Sequence, residues 1–321
     1  MKWGAPVSRF KVHVRNINPY TGTMGDDIPV EIKGVGLNAS GALSSEKTLG
    51  LKGTAKGSAD FVTDWIDAPL EAGKEYGIRM NYTGSSTAKI VINAGGSYIT
   101  SNPASIWAYN GAPFHIWLEA ETPASTKIYT FGGDSLTGGI GATLPVFDSW
   151  AYQLSRTQGV LPVMYAATGS YFDDWIDGSN PYRLTVWDDA RFAKGDVLFQ
   201  NMGSNNVFVG NSLSAMQTKS ESYTSVMKGK VKSGAPVVTT AILPRNSKPA
   251  SDATEKTRIQ YNSWLAGKPA GIGATKHIDF ISVISTDNDN IPAEKTTDGV
   301  HLTTAAYADI AASVNTQWAK P

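Results

Sequence analysis

The hydrophobic pattern changes period once along this chain, and that change constrains the fold more than any other feature. From residue 10 to about residue 122 apolar and polar side chains alternate. Phe10, Val12 and Val14 alternate with Lys11, His13 and Arg15, and the same rhythm returns at Ile28, Val30 and Ile32 and at Tyr76, Ile78 and Met80. A period of two sends successive side chains to opposite faces, so these segments are expected to be half-buried antiparallel strands. Turns such as GVGLNASGAL and KGTAKGS separate them. Residues 1–122 are therefore expected to form a β-sandwich accessory domain of jelly-roll type, with His13 on the polar face of its strand.

Around EAETPASTK (119–127) the composition turns to linker residues. Beyond it come uninterrupted apolar runs at 128–131, 163–166, 197–199, 237–243 and 278–284. Helical segments lie between or after them: SAMQTKSESYTSVMKGKVK, SDATEKTRIQYNSWLAGK and TTAAYADIAASVNTQWAK. The second opens with Asp252 three residues before Glu255, the spacing of a capping box. Buried strands alternating with helices predict an α/β domain over residues 123–321, with a parallel sheet covered on both faces. In such sheets reactive groups collect past the carboxyl ends of the strands.

Composition removes several function classes. The 321 residues carry 28 Lys and Arg against 28 Asp and Glu, a formal net charge of 0. A nucleic-acid partner is therefore not expected, since it would call for a basic field. There is no cysteine, which excludes disulfides, Cys-ligated zinc and a thiol nucleophile and leaves the compartment open. No apolar run approaches the roughly 20 residues that span a bilayer, and the N-terminus lacks a signal-peptide apolar region. The chain as given is read as soluble, with its oligomeric state undetermined by sequence.

The first apolar run of the second half breaks into IYTFGGDSLTGGIG. A phosphate loop needs a glycine, four intervening residues and then Gly-Lys-Ser/Thr; Gly133 and Gly138 have that spacing, but Gly139 stands in place of the lysine. The G-x-S-x-G nucleophile elbow also fails, because Thr137 stands two residues after Ser135. What remains is a serine directly after a buried strand, at the start of an expected helix. It suits either a nucleophile or a helix cap.

A serine nucleophile needs a base. Of four histidines, His13 and His115 lie in the strand-rich half. His277 precedes the last apolar run, where it faces solvent or caps the strand. His301 sits in TTDGVHLTTAAYADIA, a polar turn before the closing helix, three residues after Asp298. An Asp-x-x-His turn lets the carboxylate accept the imidazole N–H, fixing its tautomer. Oxyanion donors are available in QNMGSNN after the third run, through a side-chain amide, and in AATGSYFDDW after the second, through the Gly169 N–H.

These four segments together resemble the GDSL-type esterases of the SGNH hydrolase family, over roughly residues 127–321. The matching blocks are Gly133-Asp134-Ser135-Leu136, Gly169, Gly203-Ser204-Asn205-Asn206 and Asp298-Gly299-Val300-His301. The resemblance implies a flavodoxin-like three-layer α/β fold and a catalytic triad of Ser135, Asp298 and His301. It further implies an oxyanion hole from the Ser135 and Gly169 N–H groups and the Asn205 amide. Asn206 stands where the family usually has Asp. The N-terminal half is similar to the β-sandwich that accompanies some members, which either binds glycan or packs as a scaffold.

No cofactor is expected. TDNDNIPAEKTTD resembles a calcium loop at Asp287 and Asp289, but Pro292 occupies the place of the required glycine, and the segment is read as a polar loop. For substrate, the chain between Gly169 and Val197 carries Tyr171, Phe172, Trp175, Tyr182 and Trp187 among Asp173, Asp174, Asp177, Asp188 and Asp189. Aromatic faces beside carboxylates suit sugar rings, and they equally suit packing under a loop. Tyr171, Trp175 and Asp174 are the candidate substrate contacts. The expected activity is removal of acetyl or another short acyl group from a carbohydrate. A general short-chain carboxylesterase or lipase is the alternative. A non-catalytic glycan-binding or surface-fibre protein is the alternative from another class.

Overall fold

The computed structural model describes residues 3–17, 23–39, 42–83, 92–102, 105–143, 146–178, 192–249, 251–285 and 289–319; residues 39, 42, 92–102, 105–113 and 319 are described by backbone alone. Tyr182, Trp187, Asp188, Asp189 and Asp287, singled out above, lie outside the described residues. The chain divides into two compact units. One is Met1–Thr126 with Gly159–Leu161, the other Lys127–Gln158 with Pro162–Pro321.

In the first unit, strand β1 (Arg9–Arg15) pairs antiparallel with β4 (Phe61–Val62) on one side and β8 (His115–Glu121) on the other. A second sheet places β2 (Ile28–Ala39) between β3 (Ala42–Ala55) and β5 (Tyr76–Tyr82), again antiparallel. Strands β6 (Ile92–Asn102) and β7 (Ser105–Pro113) form a separate antiparallel pair. The alternating apolar residues of both sheets meet in one core: Phe10, Val12 and Val14 pack in a single buried cluster with Ile28, Val30, Ile32 and Val35. This is an all-β sandwich.

His13 departs from expectation. It is fully buried, its ring stacked on Trp117 at 3.5 Å between centroids. The Asp60 and Glu119 carboxylates lie 3.5 and 3.4 Å from its two ring nitrogens. β1 is the central strand of its sheet, so alternation distinguished an apolar face from a polar one, and the polar face is covered as well.

In the second unit, β9 (Ile128–Gly133), β10 (Leu161–Ala166), β11 (Val197–Asn201), β12 (Val237–Thr240) and β13 (Lys276–Ile278) form a five-stranded sheet in the order β10-β9-β11-β12-β13. From β9 through β11 and β12 to β13 the neighbours run parallel. Relabelled from the first strand of the unit, this is the flavodoxin-like order 2-1-3-4-5, whose direction reverses between β9 and β11. Seven α-helices are described: α1 (Trp150–Gln158), α2 (Phe172–Ile176), α3 (Ser204–Phe208), α4 (Leu213–Lys228), α5 (Ala253–Ala266), α6 (Ile281–Ile284) and α7 (Thr304–Ala319). They fall into two layers. α1 and α6 pack with α7, while α2 with α4, α4 with α5 and α3 with α5 pack together. Aromatic rings join sheet to helices: Phe131 stacks on Phe199 at 5.3 Å, and Trp150 meets Phe131 and Phe280 edge-on.

Two local expectations change. The segment after Ser135 is not a helix; it runs as turns to Gly141, and the next helix begins at Trp150. One helical hydrogen bond forms, Gly138 N–H to Asp134 O at 2.9 Å, but Gly139 and Gly141 then take φ of +76° and +93°, which ends it. The capping box at α5 is also not closed. Asp252 Oδ1 accepts the Thr254 N–H at 2.7 Å as expected of a cap, but the Asp252 N–H is already taken by Pro249 O. Glu255 turns inward to Arg258 at 2.7 Å, in an ion pair with both side chains fully buried.

Candidate functional site

The order reversal between β9 and β11 opens a crevice at the carboxyl ends of those strands. Ser135 stands two residues past β9, and Asn205 four residues past β11. Gly133 lets the two strand ends close up, since a Cβ there would lie 2.1 Å from Thr137 Oγ1 and 2.5 Å from Asn201 O. Thr137 Oγ1 in turn donates to Asn201 O at 3.3 Å.

His301 reaches this crevice from the turn before α7, across 166 residues of chain. Its Nε2 lies 2.9 Å from Ser135 Oγ, and its Nδ1 lies 2.7 Å from Asp298 Oδ2. Asp298 Oδ1 accepts the Val300 and His301 backbone N–H groups at 2.9 and 2.7 Å. Burial works against the Asp298 carboxylate, but these bonds from His301 and Val300 outweigh it and hold its pKa below the usual range. Gly141 makes room for the approach: a Cβ there would meet Leu302 O at 2.6 Å and His301 Cβ at 3.0 Å. Tyr307 of α7 clasps the same turn through its hydroxyl, which donates to Ile140 O at 2.9 Å.

The Ser135 and Gly169 N–H groups and the Asn205 amide are the three expected oxyanion donors. Among the described residues the Ser135 and Gly169 N–H groups take no partner. The Asn205 amide donates one hydrogen to Ser170 O at 3.0 Å and accepts from Arg245 Nη2 at 2.9 Å. Its orientation is fixed by chemistry: a guanidinium only donates and a carbonyl only accepts, so Nδ2 must face Ser170, and its second hydrogen is left over. Asn206 is buried, and its Oδ1 accepts the Phe172 N–H at 2.9 Å. An amide thus anchors the segment after Gly169, and the usual carboxylate is not required for that bond.

Asp134 is buried beside the serine. Loss of solvation raises its pKa to about 6, opposed by the Leu136 N–H on Oδ1 at 3.0 Å and by the charges of Arg245 and His301.

Arg245, in the loop after β12, is the site residue that sequence reasoning missed. Its Nη2 bridges Ser204 Oγ at 3.1 Å and Asn205 Oδ1, and its guanidinium lies 4.4 Å over the Phe208 ring. The only signal was a cation past the end of a strand in AILPRNSK.

Among the other candidates, Tyr171 is half-buried and lies near Arg245. Trp175 is corrected: only 2% exposed, it is a core residue whose Nε1 donates to Ser170 Oγ at 3.3 Å, so its face offers no platform to a sugar. Asp174 is half-buried, and its Oδ2 accepts the Tyr171 N–H at 2.7 Å, which engages it in capping α2. His277 lies in β13 with its Nδ1 3.0 Å from Thr239 Oγ1, and burial pushes its pKa down to about 4. It is half-buried within the strand. Burial lowers His115 to about 4 as well. No helix among the described residues is long and apolar enough to cross a membrane.

Comparison with known proteins adds a family to this geometry. Residues 131–308, more than half of the chain, match the model of the GDSL-like Lipase/Acylhydrolase family. A search of curated protein sequences gave no match. Among solved structures, a family two carbohydrate esterase from Clostridium thermocellum, in complex with cellohexaose, superposes with a TM-score of 0.51 at 12% identity, covering 98% of this chain and 92% of that one. A Corynascus thermopiles carbohydrate esterase family 2 enzyme plus carbohydrate binding domain gives 0.50 at 13% identity, covering 99% and 94%. At these identities the likeness is one of fold.

Proposed function

The chain belongs to the GDSL-like lipase/acylhydrolase family, and from that premise we propose that it is a serine ester hydrolase with Ser135 as nucleophile. The observation that carries this reading is the continuous hydrogen-bonded line from Asp298 through His301 to Ser135 Oγ. His301 Nε2 takes the hydroxyl proton as Oγ attacks the ester carbonyl. Asp298 keeps the other ring nitrogen protonated and stabilises the imidazolium. The carbonyl oxygen, now an anion, is received by the Ser135 and Gly169 N–H groups and the free Asn205 hydrogen. The protonated base then gives its proton to the departing alcohol, leaving an acyl group on Ser135. Water attacks that ester with the same base, releasing the acid and restoring the hydroxyl.

The substrate proposed is a carbohydrate bearing acetyl or another short acyl group. Ser135 is only 7% exposed, which suits a small acyl chain. The fold is shared with carbohydrate esterases, one of them solved with a bound cello-oligosaccharide. Tyr171 remains as a sugar contact. The β-sandwich, proposed as a domain of its own, either adds glycan affinity or acts as a scaffold, which sedimentation of the Ser135→Ala chain with insoluble glycan tests.

The deciding experiment measures acetate release from acetylated glycans and hydrolysis of p-nitrophenyl acetate, with phosphonate labelling of the serine. Wild type should turn over both substrates and be labelled at Ser135, and Ser135→Ala should lose turnover and label together. Equal rates in the two proteins would sink the mechanism. Aryl-ester turnover without acetate release from any glycan would leave the general carboxylesterase.

A further inference from the structure

We propose that Arg245 is a positioning residue for ester hydrolysis, orienting and polarising the Asn205 amide so that its free hydrogen meets the oxyanion. This rests on reading the site as an esterase. The argument begins with what Asn205 could do unaided. A side-chain amide at the start of a five-residue helix is free to rotate, and rotation by half a turn would aim its oxygen at the developing anion. Arg245 forbids that, because only the oxygen can face a guanidinium. The bond at 2.9 Å from a charged donor also draws electron density from the amide, which strengthens the remaining N–H as a donor.

The guanidinium is itself held on several sides. Nη2 reaches Ser204 as well as Asn205, and Phe208 supports the face of the group. The preceding backbone is fixed at Ile242, whose carbonyl accepts from Arg258 Nη1 at 3.1 Å and Asn262 Nδ2 at 2.9 Å. The Glu255 carboxylate of the buried pair faces the Arg245 backbone N–H. On the following residue, the Asn246 N–H donates to Gly299 O at 3.0 Å, inside the Asp298–His301 turn, and the Asn246 side chain exchanges bonds with Ile291 at 2.7 and 2.8 Å. One loop thus braces both the base and the amide. The charges around Arg245 are Asp134, Asp298 and Glu255, with the Tyr171 hydroxyl beside them, so the cation is compensated without a substrate. Among the described residues its guanidinium bonds to Ser204 and Asn205 and not to Ser135 or His301, so it acts through Asn205.

The test is a double-mutant cycle on p-nitrophenyl acetate, with thermal unfolding measured on each protein. Asn205→Ala should lower kcat about 10²–10³-fold, the usual effect of losing one oxyanion donor. Arg245→Met should lose part of that, about 10–100-fold in kcat, with KM changed less than about threefold. In the Asn205→Ala background Arg245→Met should cost less than about twofold, because the group it acts through is gone. Arg245→Lys, which keeps the charge but not the planar fork, should fall between wild type and Arg245→Met, and it carries the same cycle if the methionine variant does not fold. An undiminished Arg245 effect without Asn205 would overturn the inference, as would an effect confined to KM. If wild type neither turns over ester nor is labelled at Ser135, the esterase reading itself fails and the inference with it.

Discussion

Replacing Asp298 by Asn changes one atom and should abolish most of the proposed chemistry. The carboxylate accepts three N–H groups, two from the backbone on Oδ1 and one from His301 Nδ1 on Oδ2. Asparagine has a single acceptor oxygen. It will occupy the Oδ1 position, where two donors need it, and that leaves its NH₂ facing His301 Nδ1. Two donors cannot face each other, so the ring must place its proton on Nε2. That nitrogen then donates toward Ser135 and cannot take its proton. Loss of the correct tautomer in a Ser-His-Asp arrangement lowers kcat by about 10⁴. The turn keeps both backbone bonds, so unfolding free energy should change by less than about 1 kcal/mol. Steady-state hydrolysis of p-nitrophenyl acetate from pH 5 to 9, with urea unfolding of the same samples, reads both quantities. Activity within tenfold of wild type, in a stably folded variant, would refute the assignment of Asp298 as the group that orients the base.

Two further outcomes follow from buried charges. Asp134 titrates at about 6 when folded against 3.8 when unfolded, so the folded state binds the extra proton between those values and wild-type stability falls as pH rises from about 4 to about 6. Asp134→Asn, which can still accept the Leu136 N–H, should flatten that fall and gain about 1–3 kcal/mol relative to wild type at pH 8 over its value at pH 4; parallel urea-unfolding profiles of the two proteins against pH would contradict it. Glu255→Ala leaves the Arg258 guanidinium buried without its counter-charge, and should destabilise by about 3–5 kcal/mol. Denaturant midpoints measure this, and a loss under about 1 kcal/mol would mean that water or another group reaches Arg258.

The parts legible in the sequence were those written in local pattern. Alternation announced the sandwich, and apolar runs separated by helices announced the parallel sheet. His301 and Asp298 were readable because three residues of spacing suffice to join them. What escaped depended on contacts between distant segments. His13 looked solvent-facing because period two shows which face is apolar, while Asp60 and Trp117, which enclose it, lie elsewhere in sequence. Trp175 looked like a platform because an aromatic residue among carboxylates has the same pattern whether it is exposed or packed. The turn after Ser135 reads as helical in sequence because the contacts at its glycines with positive φ come from distant segments: Ser149 crowds Gly139, and the His301–Leu302 segment crowds Gly141. Arg245 had no motif at all; its place follows from bringing the loops after β11 and β12 together, 40 residues apart.

The distance along the chain between Ser135 and His301 has a consequence for synthesis. The serine leaves the ribosome 166 residues ahead of the imidazole proposed to activate it, which comes just before α7. Until residue 301 has emerged, the hydroxyl is an ordinary, weakly reactive alcohol. A truncated product ending between residues 136 and 301 carries the GDSL segment and lacks the proposed base. Hydrolytic competence under this mechanism would therefore appear in one step, when the Asp298–His301 turn docks against Gly141 and Tyr307 fastens to Ile140, and chains lacking that turn would stay chemically silent.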